Sequence, residues 1–186
     1  MKKFILLAAL FVTTAIFASE AAVKEVISRY RTADAAFSEK ALDYMTEDFV
    51  LEAAGGKVNR KWYAEIVKSA KIMSETNDLE VFMEAAAKLS GGSLTDEQRK
   101  HIRAMKDSEK KRTLLIGKEQ IKYIQKMAAL GVDKEMYKNC VIKGNKAEVT
   151  VSVKDPVSAV DFIGKYTLIK KNGKWLIQSI KMDLKK

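Results

Sequence analysis

The chain has 186 residues and very little of what builds covalent or metal frameworks, with one cysteine, one proline and one histidine. A lone Cys140 cannot close an internal disulfide. With a lone His101 beside it, it cannot complete a structural or catalytic zinc set either, so no metal site is expected. There is no glycine-rich phosphate loop and no serine nucleophile elbow, which removes the common nucleotide and acyl-transfer chemistries and leaves no expected cofactor. No apolar run reaches the roughly 20 residues that span a bilayer. The longest is residues 4–17, and it follows Lys2 and Lys3 and precedes Ala18 and Ser19. Those are the three parts of a secretory leader, so residues 1–18 read as a signal peptide cleaved after Ala18. An exported protein, periplasmic or extracellular and without stable membrane insertion after cleavage, is expected.

Acidic residues are also fewer than basic ones, 24 against 34, for a net charge of +10. An excess of that size suits nucleic acid or an anionic surface. The lysines are scattered rather than grouped with aromatics, and export removes nucleic acid, so a solvated basic surface is expected.

What is present is most regular in the last fifty residues. Ala147, Val149, Val151 and Val153 alternate with Glu148, Thr150, Ser152 and Lys154, the period of a strand with one dry face. Gly144 and Asn145 supply a tight turn before it, which sets Cys140 opposite Val149. Asn172–Gly173 is a strong two-residue turn signal that faces Leu168 with Ile177 and Ile169 with Leu176. On that count one face carries Phe162, Tyr166, Leu168, Trp175 and Ile177. The other carries Ile163, Thr167, Ile169, Leu176, Gln178, Ile180 and Met182. Pro156 cannot donate to a ladder, so residues 155–160 read as a connection or bulged edge.

Before the hairpins the spacing is helical. Val23, Val26, Ile27, Tyr30, Ala33, Phe37, Ala41, Leu42 and Met45 recur at three and four, with Ser38 able to cap a second segment. Phe49, Val50 and Leu51 read as a brief strand, closed by the glycines at 55 and 56. Asn59 can cap a helix reaching Met73. Three more helices are expected within residues 75–131: one through Leu79, Phe82, Met83 and Ala86, stopped at Gly91–Gly92; one opened by a capping box at Thr95–Gln98 and running through Met105 toward Arg112; and one through Ile121 and Ile124 that stops at Gly131.

The run KALDYMTEDFV at 40–50 looks like a helix delivering its chain into a first strand, and KNGKWLI at 171–177 looks like a closing turn and strand. On these two stretches the chain resembles the NTF2-like superfamily, also called SnoaL-like or cystatin-like α+β cones. The resemblance implies an α+β domain over residues 19–186, with N-terminal helices packed on a curved antiparallel sheet that encloses a cavity, frequently in a dimer. The helical insertion at about 75–131 exceeds what the family usually places there. Members include isomerases, dehydratases, hydrolases and non-catalytic binders, and fold alone does not choose among them.

Few residues offer chemistry. His101 sits in a basic helical run and reads as a surface imidazole. Tyr30 and Asp34 stand four apart on the first helix and could face one cavity as donor and carboxylate. Tyr30, Trp62, Tyr166 and Trp175 are the candidate ligand-binding residues, apolar bodies with polar handles. The sequence therefore points first to an exported, non-catalytic domain that binds a small apolar or amphipathic ligand or an envelope protein. A second reading is an isomerase- or dehydratase-like enzyme using Tyr30 and Asp34, which requires both side chains to point into one enclosed cavity. A third is an interaction module docking through residues 75–112. A homodimer is expected through a sheet face with Ile163, Ile169, Leu176, Ile180 and Met182, such that Ile180→Lys would give a folded monomer.

Overall fold

The computed structural model describes residues 2–53, 56–133, 136–154 and 161–184. Five α-helices and six strands follow one another: α1 (Lys2–Ala35), β1 (Met45–Ala53), β2 (Gly56–Asn59), α2 (Arg60–Glu75), α3 (Leu79–Leu89), α4 (Asp96–Ala104), α5 (Asp107–Asp133), β3 (Met136–Lys143), β4 (Lys146–Lys154), β5 (Asp161–Lys171) and β6 (Lys174–Leu184). The strands form one sheet in the order β2-β1-β6-β5-β4-β3. It is mixed rather than wholly antiparallel, because β1 runs parallel to β6 while every other pair is antiparallel.

α1 ends where Phe37 takes a positive φ of 50°. The amides of Phe37 and Ser38 then donate back to the carbonyls of Asp34 and Ala33, both at 2.9 Å. A left-handed conformation costs a non-glycine residue roughly 1–2 kcal/mol. Here the Phe37 ring offsets that cost by packing against the cluster of Met73, Phe82, Ala85 and Ile121. Ser38 caps the following 3-10 turn, Glu39–Tyr44, which hands the chain to β1.

One face of the sheet is dry. Val23, Ile27 and Tyr30 of α1 and Tyr63 and Val67 of α2 pack against Phe49, Val149, Val151, Tyr166, Leu168, Trp175, Ile177 and Ile180. Both hairpin turns and the pairs Cys140 with Val149, Leu168 with Ile177 and Ile169 with Leu176 stand as the sequence predicts. Beyond them the register of β5 and β6 shifts: Leu168 still faces Ile177, but Thr167 faces Ser179, so Gln178 is an extra residue on β6. Its amide donates instead to the Asp48 carboxylate at 2.8 Å.

That bulge corrects the expected second face. Because side chains alternate, one extra residue transfers everything after it to the other side. Ile180, only 3% exposed, belongs to the core beneath the helices, and Met182 packs against that same core. The five residues Ile163, Ile169, Leu176, Ile180 and Met182 therefore do not share a face. The outer face keeps Ile163, Ile169 and Leu176, interspersed with Lys165, Thr167, Ser179 and Lys181.

The helical segment carries small cores of its own. Phe82 packs with Met73, Ala85 and Ile121, and Leu79 with Leu94 and Ile102. α5 comes so close that a Cβ at Gly117 would stand 2.5 Å from the Phe82 ring. The capping box at Thr95 and Gln98 forms as expected. The helix it opens stops at Ala104, short of the predicted Arg112, because Glu109 reaches back to the Lys106 amide at 3.2 Å and starts α5. α5 in turn runs past the predicted stop at Gly131 to Asp133. The expected connection at 155–160 lies outside the described residues.

Candidate functional site

The stripe that seats α1 on the sheet places one titratable group beside the core. Val23, Ile27 and Tyr30 point straight down, and Asp34, one turn after Tyr30, follows at the edge of the same face. Opposite it α2, started by the Asn59 cap on the Trp62 amide at 2.9 Å, lowers Tyr63 into the core. The Tyr63 hydroxyl donates to Asp34 Oδ1. The Tyr63 ring stacks edge-on against Phe49, with centroids 5.9 Å apart, and lies tilted 6.3 Å from Tyr30. Behind them the Arg31 guanidinium reaches the hydroxyl of the fully buried Tyr166 at 3.4 Å.

Three effects act on Asp34. Crowding by the surrounding protein disfavours the charged form and is the largest, so the carboxyl lies above its ordinary 3.8; the Tyr63 hydrogen bond and the Arg31 charge pull the other way and lose. The residue as a whole is half-buried, so the carboxyl is enclosed while part of Asp34 still meets solvent. Burial, and then the Asp34 charge, push both Tyr30 and Tyr63 well above the usual phenol range. At neutral pH both tyrosines therefore keep their protons, and Tyr63 donates its own to Asp34.

The sequence candidates separate accordingly. Tyr30 and Asp34 both lie on the side of α1 that meets Tyr63, Tyr30 buried and Asp34 half-buried at the edge, and none of the described clefts is lined by either. Tyr166 joins them through Arg31, and Trp175 is buried further along the sheet in the same core. Trp62 does not join them. It is 42% exposed on the outer side of α2, and its neighbour Tyr63 takes the interior place. Sequence reading passed over Tyr63 because adjacent aromatics on one helix leave either able to face inward. Its spacing to Val67 and Ala70, both buried, is the signal that favours it.

Two open clefts lie away from this network. One of about 590 Å³ between α3 and α4 is lined by Met83, Leu94, His101 and Ile102. Another of about 390 Å³ lies on the outer sheet face among Glu52, Glu148, Lys165 and Lys181. Among the described residues no cluster of ligating side chains could hold a metal ion, and no helix is long and apolar enough to cross a membrane.

No protein-family model and no curated protein matches the chain. Solved structures do. A protein of unknown function from Mycobacterium tuberculosis matches with a TM-score of 0.51 at 11% identity, over 94% of this chain and 76% of that one. An NTF2-like protein with a cystatin-like fold from Novosphingobium aromaticivorans matches at 0.48 and 12% identity, over 96% and 89% of the two chains. An NTF2-like protein of unknown function from Shewanella baltica matches at 0.47 and 10%, over 91% and 96%. At such identities the likeness is one of fold.

Proposed function

From an NTF2-like α+β fold as premise, we propose that this chain takes up a small, largely apolar molecule bearing one oxygen function at the α1–α2 end of its core, and that Asp34 exchanges a proton with it. The observation that carries this reading is the Tyr63–Asp34 hydrogen bond inside an otherwise apolar core. A buried polar cluster costs stability unless its members satisfy one another, and enclosure that raises a carboxyl above its ordinary range makes it a stronger base toward a ligand's proton. Tyr63 has its one proton on Asp34, so Tyr30, also held neutral, would turn its hydroxyl from Tyr63 to a carbonyl or hydroxyl oxygen as charge develops on it. Asp34 would then take the proton from the adjacent carbon, or return one to a departing hydroxyl. That is the chemistry of an isomerase or dehydratase. Export through the leader at 1–18 belongs to the same proposal.

The non-catalytic binder is the second reading, and a specific observation favours it. Tyr30 and Tyr63 are buried to 3% and 4% exposure, so their rings fill the space beside Asp34. A ligand would displace a ring to enter, and binding without chemistry asks for less precise placement afterwards.

Exchange of the acidic α-hydrogens of 2-tetralone in heavy water, followed by proton NMR, separates the two. The acid–base reading predicts accelerated exchange that falls about 10²–10⁴-fold in Asp34→Asn, the usual contribution of a positioned general base. Ring-current shifts at Tyr30 and Tyr63 on adding 2-tetralone, without accelerated exchange, would leave the binder. Neither shifts nor exchange would overturn the site.

A further inference from the structure

We propose that the outward face of α5 docks on an anionic phospholipid surface. The inward side of this helix is committed to the fold: Gly117 lies against Phe82, Ile121 is buried and Leu114 packs beside it. On the opposite side Leu115, Ile116 and Tyr123 are 61%, 51% and 53% exposed, with Ile124 at the edge, 51% exposed. Residues 115, 116 and 123 fall within about a third of a turn of the helix circumference at 3.6 residues per turn, so they form one stripe. Isolated exposed leucines need no explanation, but a stripe of side chains each more than half exposed does.

The charges around the stripe choose the occupant. Lys111, Arg112 and Lys126 are exposed on this half of the helix against Glu109, while Lys122 and Glu119 pair with each other at 3.2 Å. Lys118, by contrast, is turned to the inner side, where it donates to Asn77 at 2.9 Å. A second copy laid on this face by a twofold would set one basic rim against another and bury only a few side chains, well short of the roughly 800 Å² per partner of a stable interface. A bilayer surface meets neither objection. It accepts a shallow apolar stripe of leucine, isoleucine and tyrosine, and its anionic headgroups complement the flanking lysines. The net charge, +10 for the whole sequence and lower only by Lys2 and Lys3 once the leader leaves, acts in the same direction.

The test is co-sedimentation of the chain from Ser19, without the leader, with phosphatidylcholine vesicles, with and without a quarter of phosphatidylglycerol, at low and high salt. Wild-type protein should partition to the anionic vesicles, weakly to the neutral ones, and lose partition in high salt. Lys122→Gln with Lys126→Gln should weaken it about thirtyfold, since each basic residue near such a surface contributes about 1 kcal/mol. Leu115→Ser with Ile116→Ser and Tyr123→Ser should weaken it at least about tenfold through lost apolar insertion. All these side chains are exposed, and circular dichroism checks that both variants fold; if the serine variant does not, the lysine pair carries the test. Absence of partition to either vesicle, or equal partition by folded variants, overturns the proposal. So does a wild type that self-associates in sedimentation and ignores vesicles, which would assign the stripe to a second copy.

Discussion

Ile180→Lys leaves no folded protein. Were residues 174–184 a regular strand, position 180 would lie outside and a lysine there would be harmless. The extra residue at Gln178 puts Ile180 opposite Tyr166, beneath α1, at 3% exposure. Emptying such a position costs about 2–5 kcal/mol in lost transfer and cavity terms. Enclosing an ammonium in the apolar cluster with Tyr166, Ile177 and Leu168 costs several kcal/mol more. Together these approach the roughly 5–15 kcal/mol by which whole domains are stable. Far-UV circular dichroism and urea unfolding at equal concentrations check it. A variant that melts cooperatively near the wild-type temperature would contradict the bulge and return residue 180 to the outer face.

Phe82→Ala should release the helical segment and spare the sheet. Phe82 is the common partner of Met73, Ala85 and Ile121, and its ring closes the gap that Gly117 leaves on α5. Loss of a buried phenylalanine costs about 3–5 kcal/mol. The ion pairs that also hold the segment, Arg103 with Glu80 at 2.7 Å and Arg99 with Glu84 at 2.5 Å, are partly or largely exposed and screened by water, too weak to compensate. None of the sheet's core residues touches Phe82, so hydrogen exchange should show α3 and α4 amides losing protection while β4, β5 and β6 keep theirs. Simultaneous loss in both regions would show instead that the segment and the sheet unfold as one unit. Deleting residues 75–112 outright is a harsher change, because it bares Met73 and Phe37 on the domain itself.

The hairpins were legible because two local rules agreed: Asn172–Gly173 fixes a turn, and strict alternation in 146–154 fixes a face. The bulge was not. Leu176 and Ile177 are both apolar, so the pattern around Gln178 reads equally well in either register, and only the pairing with Asp48 on a distant strand decides it. The break between α4 and α5 has no glycine or proline to announce it, although Glu109 three residues after Lys106 is half of a capping box. At the site, the spacing of Tyr30 and Asp34 was visible from α1 alone. Tyr63 was not, because its role depends on how α2 rolls against α1, which neighbouring Trp62 and Tyr63 leave open.

The central claim is that Asp34 is an enclosed carboxyl held by Tyr63, and carbon-13 NMR titration of the Asp34 side chain tests it directly, with Asp34→Asn used to assign the signal. Enclosure predicts a midpoint above the ordinary 3.8, and further above it in Tyr63→Phe, which deletes the hydrogen bond that favours the charged form. The linkage follows the same sign. A raised folded value means that the native state holds its proton longer than the unfolded chain, so Asp34 carries no penalty below the unfolded value and lowers stability as pH rises through the folded one. A midpoint at or below 3.8 that Tyr63→Phe leaves unmoved would contradict the account, placing Asp34 in open solvent and removing the proton carrier from the site.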